Sequence, residues 1–443
     1  MLFSCVLIYL LIVGFYFNLY QIYFVFYFVL LFCANLFVLN VLVGWFSLNS
    51  VFLFMDSMSF LLYILSCFVV MMVYLLVYLM MDKFFLFLLN FMLLSLFMCF
   101  FSSSMLYMYI YFEFSLIPLF LMIVQKGSSM ERFSSCVYLL LYTLLSSFLF
   151  LSLMSFVKNF QLYFMEVKLL YFFQEKGVLW VLMMLIFLVK LPVFMVHSWL
   201  NKAHVEAPVM GSMILAGVLL KLGCFGLYRL FFYMNLYFLV MVTNFLMVFS
   251  LLGSVFSCVI CMRQLDIKLL IAYSSVSHMG LLLSGMLSLT KMGLMGAIGM
   301  MLAHGICSSM LFCLANMFYI RVGSRNFLVM KGLVSYFPAL SCFWMIFCLS
   351  NMGTPPFFNF MCEILLLLVV FKKSLILMFI SVFYLIFVVY YNLILFLRLG
   401  HGQSFCLNFM SKESFLEMLL VFCHFVFMSV YLLKSDLVFV SLF

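Results

Sequence analysis

Apolar runs long enough to cross a bilayer follow one another along nearly all of this chain, and they leave little choice of fold. An α-helix rises about 1.5 Å per residue, so roughly 20 apolar residues span the hydrocarbon layer. Polar, Pro or Gly punctuation divides the sequence into about fourteen such segments: 2–18, 20–43, 57–80, 84–103, 104–125, 130–157, 177–197, 208–230, 234–258, 268–288, 293–320, 334–371, 374–398 and 413–433. In hydrocarbon every backbone N–H and C=O needs an internal partner. With no series of alternating ten-residue strands to build a barrel, the expected fold is an all-α polytopic membrane protein. Composition agrees, because only 7% of the 443 residues are charged where soluble proteins carry roughly a quarter.

The formal charge of +9 comes from basic residues scattered singly, not from the stripe or tail of a nucleic-acid site. The links after odd-numbered spans hold the larger share of Lys and Arg, among them Lys83, Arg132, Lys202, Arg263, Lys268, Arg321 and Arg325. By the positive-inside rule this puts both termini on the outer side. The 15 cysteines lie mostly within apolar runs, and the CxxC from Cys258 to Cys261 has no second ligand pair at metal spacing, so they read as small core residues. The start, MLFSCVLIYLL, has neither a basic signal-peptide head nor the Arg and Ser of a transit peptide, so no cleavage is expected. The 62 Phe and 40 Met against 6 Pro suggest AT-rich coding, as in an organelle genome.

Four charges fall well inside spans: Glu113, Lys190, Lys221 and Glu363. A charge near the bilayer centre costs about 2.5–3.5 kcal/mol on insertion scales, so such groups face a protein interior or a wet cavity and mark ion pathways. A buried ion pair that only fixes helix register is the plainer alternative. His204, His278 and His304 lie along the same region, and imidazole both donates and accepts near neutral pH.

Two spans are interrupted. LVKLPVFMVHSW places Pro192 just after Lys190, and LSNMGTPPFFNFMCEI places Gly353, Pro355 and Pro356 just before Glu363. Proline removes a helical hydrogen bond, and paired Gly/Pro interruptions in two halves mark inverted repeats with a site near the midplane. The expected organisation is an N-terminal three-helix segment (1–83), a first repeat (84–231), a second, inverted five-helix repeat (232–400) and a C-terminal helix (401–443). Each repeat has its fourth helix broken, near 192–199 and 351–356, with freed backbone groups that need water or polar side chains. The polar stretch HSWLNKAHVEAP is then the remainder of one broken helix and the turn into the next.

The stretches LVKLPVFMVHSWLNKAHVEAPVMGSMILAGVLLKLGCFGLYRL, RQLDIKLLIAYSSVSHMGLLLSG, AHGICSSMLFCLANMFYIRVGSRN and FEFSLIPLF closely resemble the antiporter-like subunits of respiratory complex I, a family shared with multisubunit cation/proton antiporters. The resemblance implies fourteen helices with two inverted five-helix repeats. It makes Glu113 and Lys190 the first-repeat pair, Lys221 the connecting lysine and Glu363 the terminal group. Glu363, where subunits 2 and 5 typically carry lysine, and the lack of room for the long lateral helix of subunit 5 point to the branch of subunit 4. Asn201, where the family usually has proline, and Leu265, where it has threonine, are departures at helix ends.

The implied function is proton translocation in the membrane arm, driven by electron transfer from NADH to ubiquinone in other subunits. A buried lysine holds its proton while a carboxylate stays beside it, so moving Glu113 would switch Lys190, with the histidines as relays. No GxGxxG in a βαβ setting and no iron–sulfur cysteine pattern is visible. No cofactor is therefore expected in this chain; NADH, FMN, iron–sulfur clusters and ubiquinone are expected in other subunits. The expected partners are siblings resembling subunits 2 and 5, accessory subunits and lipids, in the mitochondrial inner membrane. A sodium/proton antiporter subunit and a purely structural membrane spacer are the rival readings.

Overall fold

The computed structural model describes residues 56–78, 83–127, 131–155, 177–231, 236–402, 413–433 and 435. Within them the chain is helical: α1 (Ser57–Tyr78), α2 (Lys83–Phe101), α3 (Met105–Lys126), α4 (Arg132–Ser155), α5 (Gly177–Lys190), α6 (Ser198–Glu206) and α7 (Val209–Phe231). They are followed by α8 (Leu236–Arg263), α9 (Ile267–Leu287), α10 (Lys291–Val322), α11 (Leu333–Tyr336), α12 (Pro338–Asn351), α13 (Phe358–Lys373), α14 (Leu375–Gly400) and α15 (Phe415–Leu433). Ten spans among the described residues are long and apolar enough to cross a membrane. The twelve segments expected from position 57 onward fall on these helices, except that 177–197 stops being helical after Lys190 and 334–371 is divided among α11, α12 and α13; the segments at 2–18 and 20–43 lie outside the described residues.

Short polar residues set the helix starts. The Ser104, Thr290 and Ser374 side chains accept N–H groups of Tyr107, Gly293 and Leu377 at the heads of α3, α10 and α14, which satisfies donors that have no partner inside the helix. At the other end of α10, Gly323 takes φ +74 and donates to Tyr319 O.

α10 forms the centre, with every residue of its most apolar window buried, whereas α4 and α14 bury a third of theirs and turn wide apolar faces outward. Lipid supplies no hydrophobic drive between helices, so close approach has to come from small residues. α1, α7 and α10 meet at such a crossing: a Cβ on Gly305 would stand 2.7 Å from Leu65 Cδ2 and 3.2 Å from Gly217 O. α15 is held to α1 by the stacked rings of Phe68 and Phe427, 3.8 Å between centroids.

Both expected interruptions are present. α5 ends at Lys190 and the helix resumes at Ser198; α12 ends at Asn351 and resumes at Phe358. Pro192 has no N–H for the preceding turn, Met195 adopts φ 82, and the Trp199 indole N–H donates to Val189 O at 3.2 Å. In the second break Asn359 Nδ2 donates to Ser350 O at 2.8 Å and Thr354 Oγ1 to Leu349 O at 3.0 Å. Polar side chains thus take up several of the carbonyls that the breaks release.

The links after the seventh, ninth and eleventh expected spans meet one another. Ile267 N–H donates to Arg325 O and Phe327 N–H to Leu265 O, Lys268 Nζ donates to Ala207 O at 3.0 Å, and Arg325 Nη1 donates to Val205 O at 2.9 Å. Leu265 takes part through its carbonyl, which any residue supplies, so its departure from threonine leaves that contact intact. Lys268, expected in a link, lies within α9 and is 5% exposed, and Arg229 is 1% exposed within α7, ion-paired with Asp56.

Candidate functional site

Lys190 is the last residue of α5 and is 3% exposed. Its Nζ donates to Glu113 Oε1 at 2.5 Å and lies 3.6 Å from the ring centre of Phe112 and 4.1 Å from that of Tyr109. The ammonium therefore has one carboxylate and two aromatic faces as counter-charge, an arrangement that favours a cation out of water. Glu113 is less enclosed, with a quarter of its side chain exposed. Beside Lys190 opens a cavity of about 20 Å³, lined in part by Thr143, Trp199, Leu215 and Leu219. It has room for roughly one water molecule.

Leu215–Leu219 is a π-helical turn inside α7, and such turns often accompany functional sites because one extra residue re-aims the side chains around them. Lys221 follows it, 1% exposed, with Nζ donating to Ala216 O of that turn. Three histidines lie within electrostatic range of Lys221: His204, His278 and His304. His204 stacks on Phe312 at 4.7 Å, nearly parallel, and neither of its nitrogens has a hydrogen bond. His278 and His304 lie with ring centres 5.0 Å apart.

The second break carries the other half. Glu363 on α13 is 3% exposed, and its Oε1, which makes no hydrogen bond, lies 3.6 Å from His278 Nδ1. The carboxyl rests directly on the backbone of Gly353, φ +65, where a Cβ would stand 2.1 Å from Oε2. Asn351 at the break donates to Asn392 Oδ1 at 3.1 Å. Cys307 Sγ meets Ser350 Oγ at 3.1 Å within electrostatic range of both Lys221 and Glu363.

The structure thus gathers five of the seven residues singled out in the sequence into two clusters, Glu113 with Lys190 and His278 with His304 and Glu363, and the other two, Lys221 and His204, lie between them in chain order. Sequence reasoning missed Tyr384 and Tyr391, whose hydroxyls meet His278 Nδ1 at 2.9 Å and Nε2 at 3.1 Å. Their spacing of seven puts them on one helix face, which by itself does not single them out among the 25 tyrosines.

Fold and site together define a polytopic helical membrane protein with buried acid–base pairs at two broken helices. The chain belongs to the NADH:quinone oxidoreductase/Mrp antiporter transmembrane family, matching it over residues 102–389. It is 43% identical over 330 residues to the NADH-ubiquinone oxidoreductase chain 4 of Aedes aegypti, covering 73% of each chain. It is 42% identical over 327 residues to the chain 4 of Ceratitis capitata, again 73% of each. In fold it is similar to a chain of respiratory complex I from Thermus thermophilus (TM-score 0.81, 22% identity, 93% of this chain and 92% of that one). It is also similar to a chain of the Mrp complex from Dietzia sp. DQ12-45-1b (TM-score 0.80, 15% identity, 95% and 91%).

Proposed function

We propose that this chain is the chain 4 type of membrane-arm subunit of a respiratory complex I and moves protons across the mitochondrial inner membrane, driven by NADH-to-ubiquinone electron transfer in other subunits. Membership of the family and identity above 40% to animal chain 4 proteins support the assignment. The observation that carries the mechanism is the Lys190–Glu113 ion pair inside the membrane, at a broken helix and next to a water-sized cavity. While Glu113 stays, Lys190 keeps its proton. When Glu113 turns away, the ammonium loses its counter-charge in a poorly solvated site and gives its proton to the cavity, towards the π-turn and Lys221. His204, His278 and His304 relay it, and Glu363 takes it at the second break.

On this reading residues 84–231 and 232–400 are two inverted five-helix repeats within a fourteen-helix chain. Its support is that α5/α6 and α12/α13 are each the fourth span of a five-span set. The chain holds no cofactor of its own; siblings resembling subunits 2 and 5 flank it, with accessory subunits and lipid around them.

Lys190→Met tests this. It keeps the apolar stem while abolishing titration, so the complex should assemble and NADH-driven proton uptake into vesicles should fall by about a hundredfold, as for loss of a general acid–base group. Wild-type uptake by the assembled variant would refute the mechanism and leave the structural-spacer reading. Sodium-dependent proton exchange without NADH would favour the antiporter rival.

A further inference from the structure

We propose that Tyr384 and Tyr391 are positioning residues of the proton path. They hold His278 by both ring nitrogens and keep it satisfied in either tautomer, while Nδ1 remains within reach of Glu363. The proposal rests on the proton-translocating reading of the site and adds two residues to it.

The geometry comes from α14. Residues seven apart lie on one face about 10 Å apart along the axis, so the two phenols reach either end of one imidazole, Tyr384 at Nδ1 (2.9 Å) and Tyr391 at Nε2 (3.1 Å). All three side chains are buried. A neutral imidazole has one N–H and one bare nitrogen, and a phenol both donates and accepts. With the proton on Nδ1, Tyr384 accepts and Tyr391 donates; with the proton on Nε2 the roles reverse. When a proton binds at Nε2 and another leaves Nδ1, the two hydroxyl hydrogens turn to match the new tautomer, and no heavy atom moves.

The third contact turns this clamp into a relay. Glu363 Oε1 stands 3.6 Å from the same Nδ1 and has no hydrogen bond of its own. A proton arriving at Nε2 makes the ring an imidazolium, whose Nδ1–H is held by the Tyr384 oxygen at 2.9 Å, with the Glu363 carboxylate 3.6 Å from the same nitrogen and able to take the proton once it closes to hydrogen-bond distance. Transfer to Glu363 breaks the Nδ1–H bond, forms a carboxyl O–H and leaves a neutral ring protonated on Nε2. One proton has entered and one has left. Tyr384, which had accepted from Nδ1–H, now donates to the bare nitrogen, so the step leaves no buried polar atom of the ring unsatisfied. Other groups facing the cluster include Lys221, His304 and the Asn351 backbone beside His278, Cys258 beside both phenols, and Ser277 and Cys261 beside Tyr391.

The test is Tyr384→Phe and Tyr391→Phe in the whole assembled complex, reconstituted in vesicles and normalised to assembled complex. Each variant keeps the ring and its packing. Proton uptake should fall by about tenfold, less than the roughly hundredfold or more of a group that itself transfers the proton, and the slowing in heavy water should exceed that of the unaltered complex because transfer at His278 now limits the rate. Unchanged uptake and an unchanged heavy-water effect in an assembled variant would overturn the proposal, as would failure of both variants to assemble, which assigns the tyrosines to the fold alone. If only one assembles, its rate and isotope effect decide. An inactive Lys190→Met beside fully active tyrosine variants sinks the clamp alone; an active Lys190→Met sinks the translocation reading beneath it.

Discussion

Glu363 shows how one backbone position governs a buried acid. Its carboxyl lies against Gly353, where φ is +65 and a Cβ would meet Oε2 at 2.1 Å. Gly353→Ala must therefore displace the carboxyl from His278 as well as strain the turn. Proton uptake per assembled complex should fall by about tenfold or more, as when a proton-transfer group is mispositioned. Gly323→Ala is the control: φ is similar, at +74, but nothing lies within 4 Å of the added Cβ. It should cost only the left-handed strain of about 1–2 kcal/mol and leave uptake per complex unchanged. Vesicle assays on the two variants check both statements. The buried charges were legible in the sequence because lipid makes each of them costly. Tyr384 and Tyr391 were not, since 25 tyrosines lie scattered through the chain and only the third dimension picks out the two beside an imidazole.

At the scale of helices, proline and glycine announced both breaks, but the sequence did not show what satisfies them. The turn from α6 into α7 is the clearest case. α6 ends with carbonyls that have no helical partner, and cations from α9 and from the link after α10 cap them: Lys268 at Ala207 O and Arg325 at Val205 O. Positive charge at a helix C-terminus also suits its dipole. The sequence reading counted Lys268 as a topology marker, because a lysine one residue inside a helix looks the same as one in a loop. Lys268→Met should leave the Ala207 carbonyl without its donor at a cost of about 1–3 kcal/mol. A lowered thermal midpoint of the purified complex would show it; an unchanged midpoint would mean the cap contributes little. The π-turn at Leu215–Leu219 was also invisible in the sequence, since LAGVL carries no mark that separates it from an ordinary helical turn.

Across the whole molecule, the two broken helices turn a stack of apolar spans into two half-sites, one with the Lys190–Glu113 pair and one with His278 and Glu363. Lys221 follows the π-turn, in electrostatic range of the histidines of the second half and two residues before Gly223, where a Cβ would lie 3.1 Å from Leu191 N at the first break. A single path through Lys221 makes the half-sites steps in series, whereas two separate channels would make them parallel. Glu113→Gln and Glu363→Gln, alone and together, distinguish these arrangements. Groups that act as one unit lose no more when removed together than when the more important one is removed alone, while independent sites add in free energy. The double variant should therefore pump at the rate of the slower single variant, measured as NADH-driven proton uptake per assembled complex. A loss equal to the product of the two single losses would mean that each half moves protons on its own, and Lys221 would then be a structural cation between two channels.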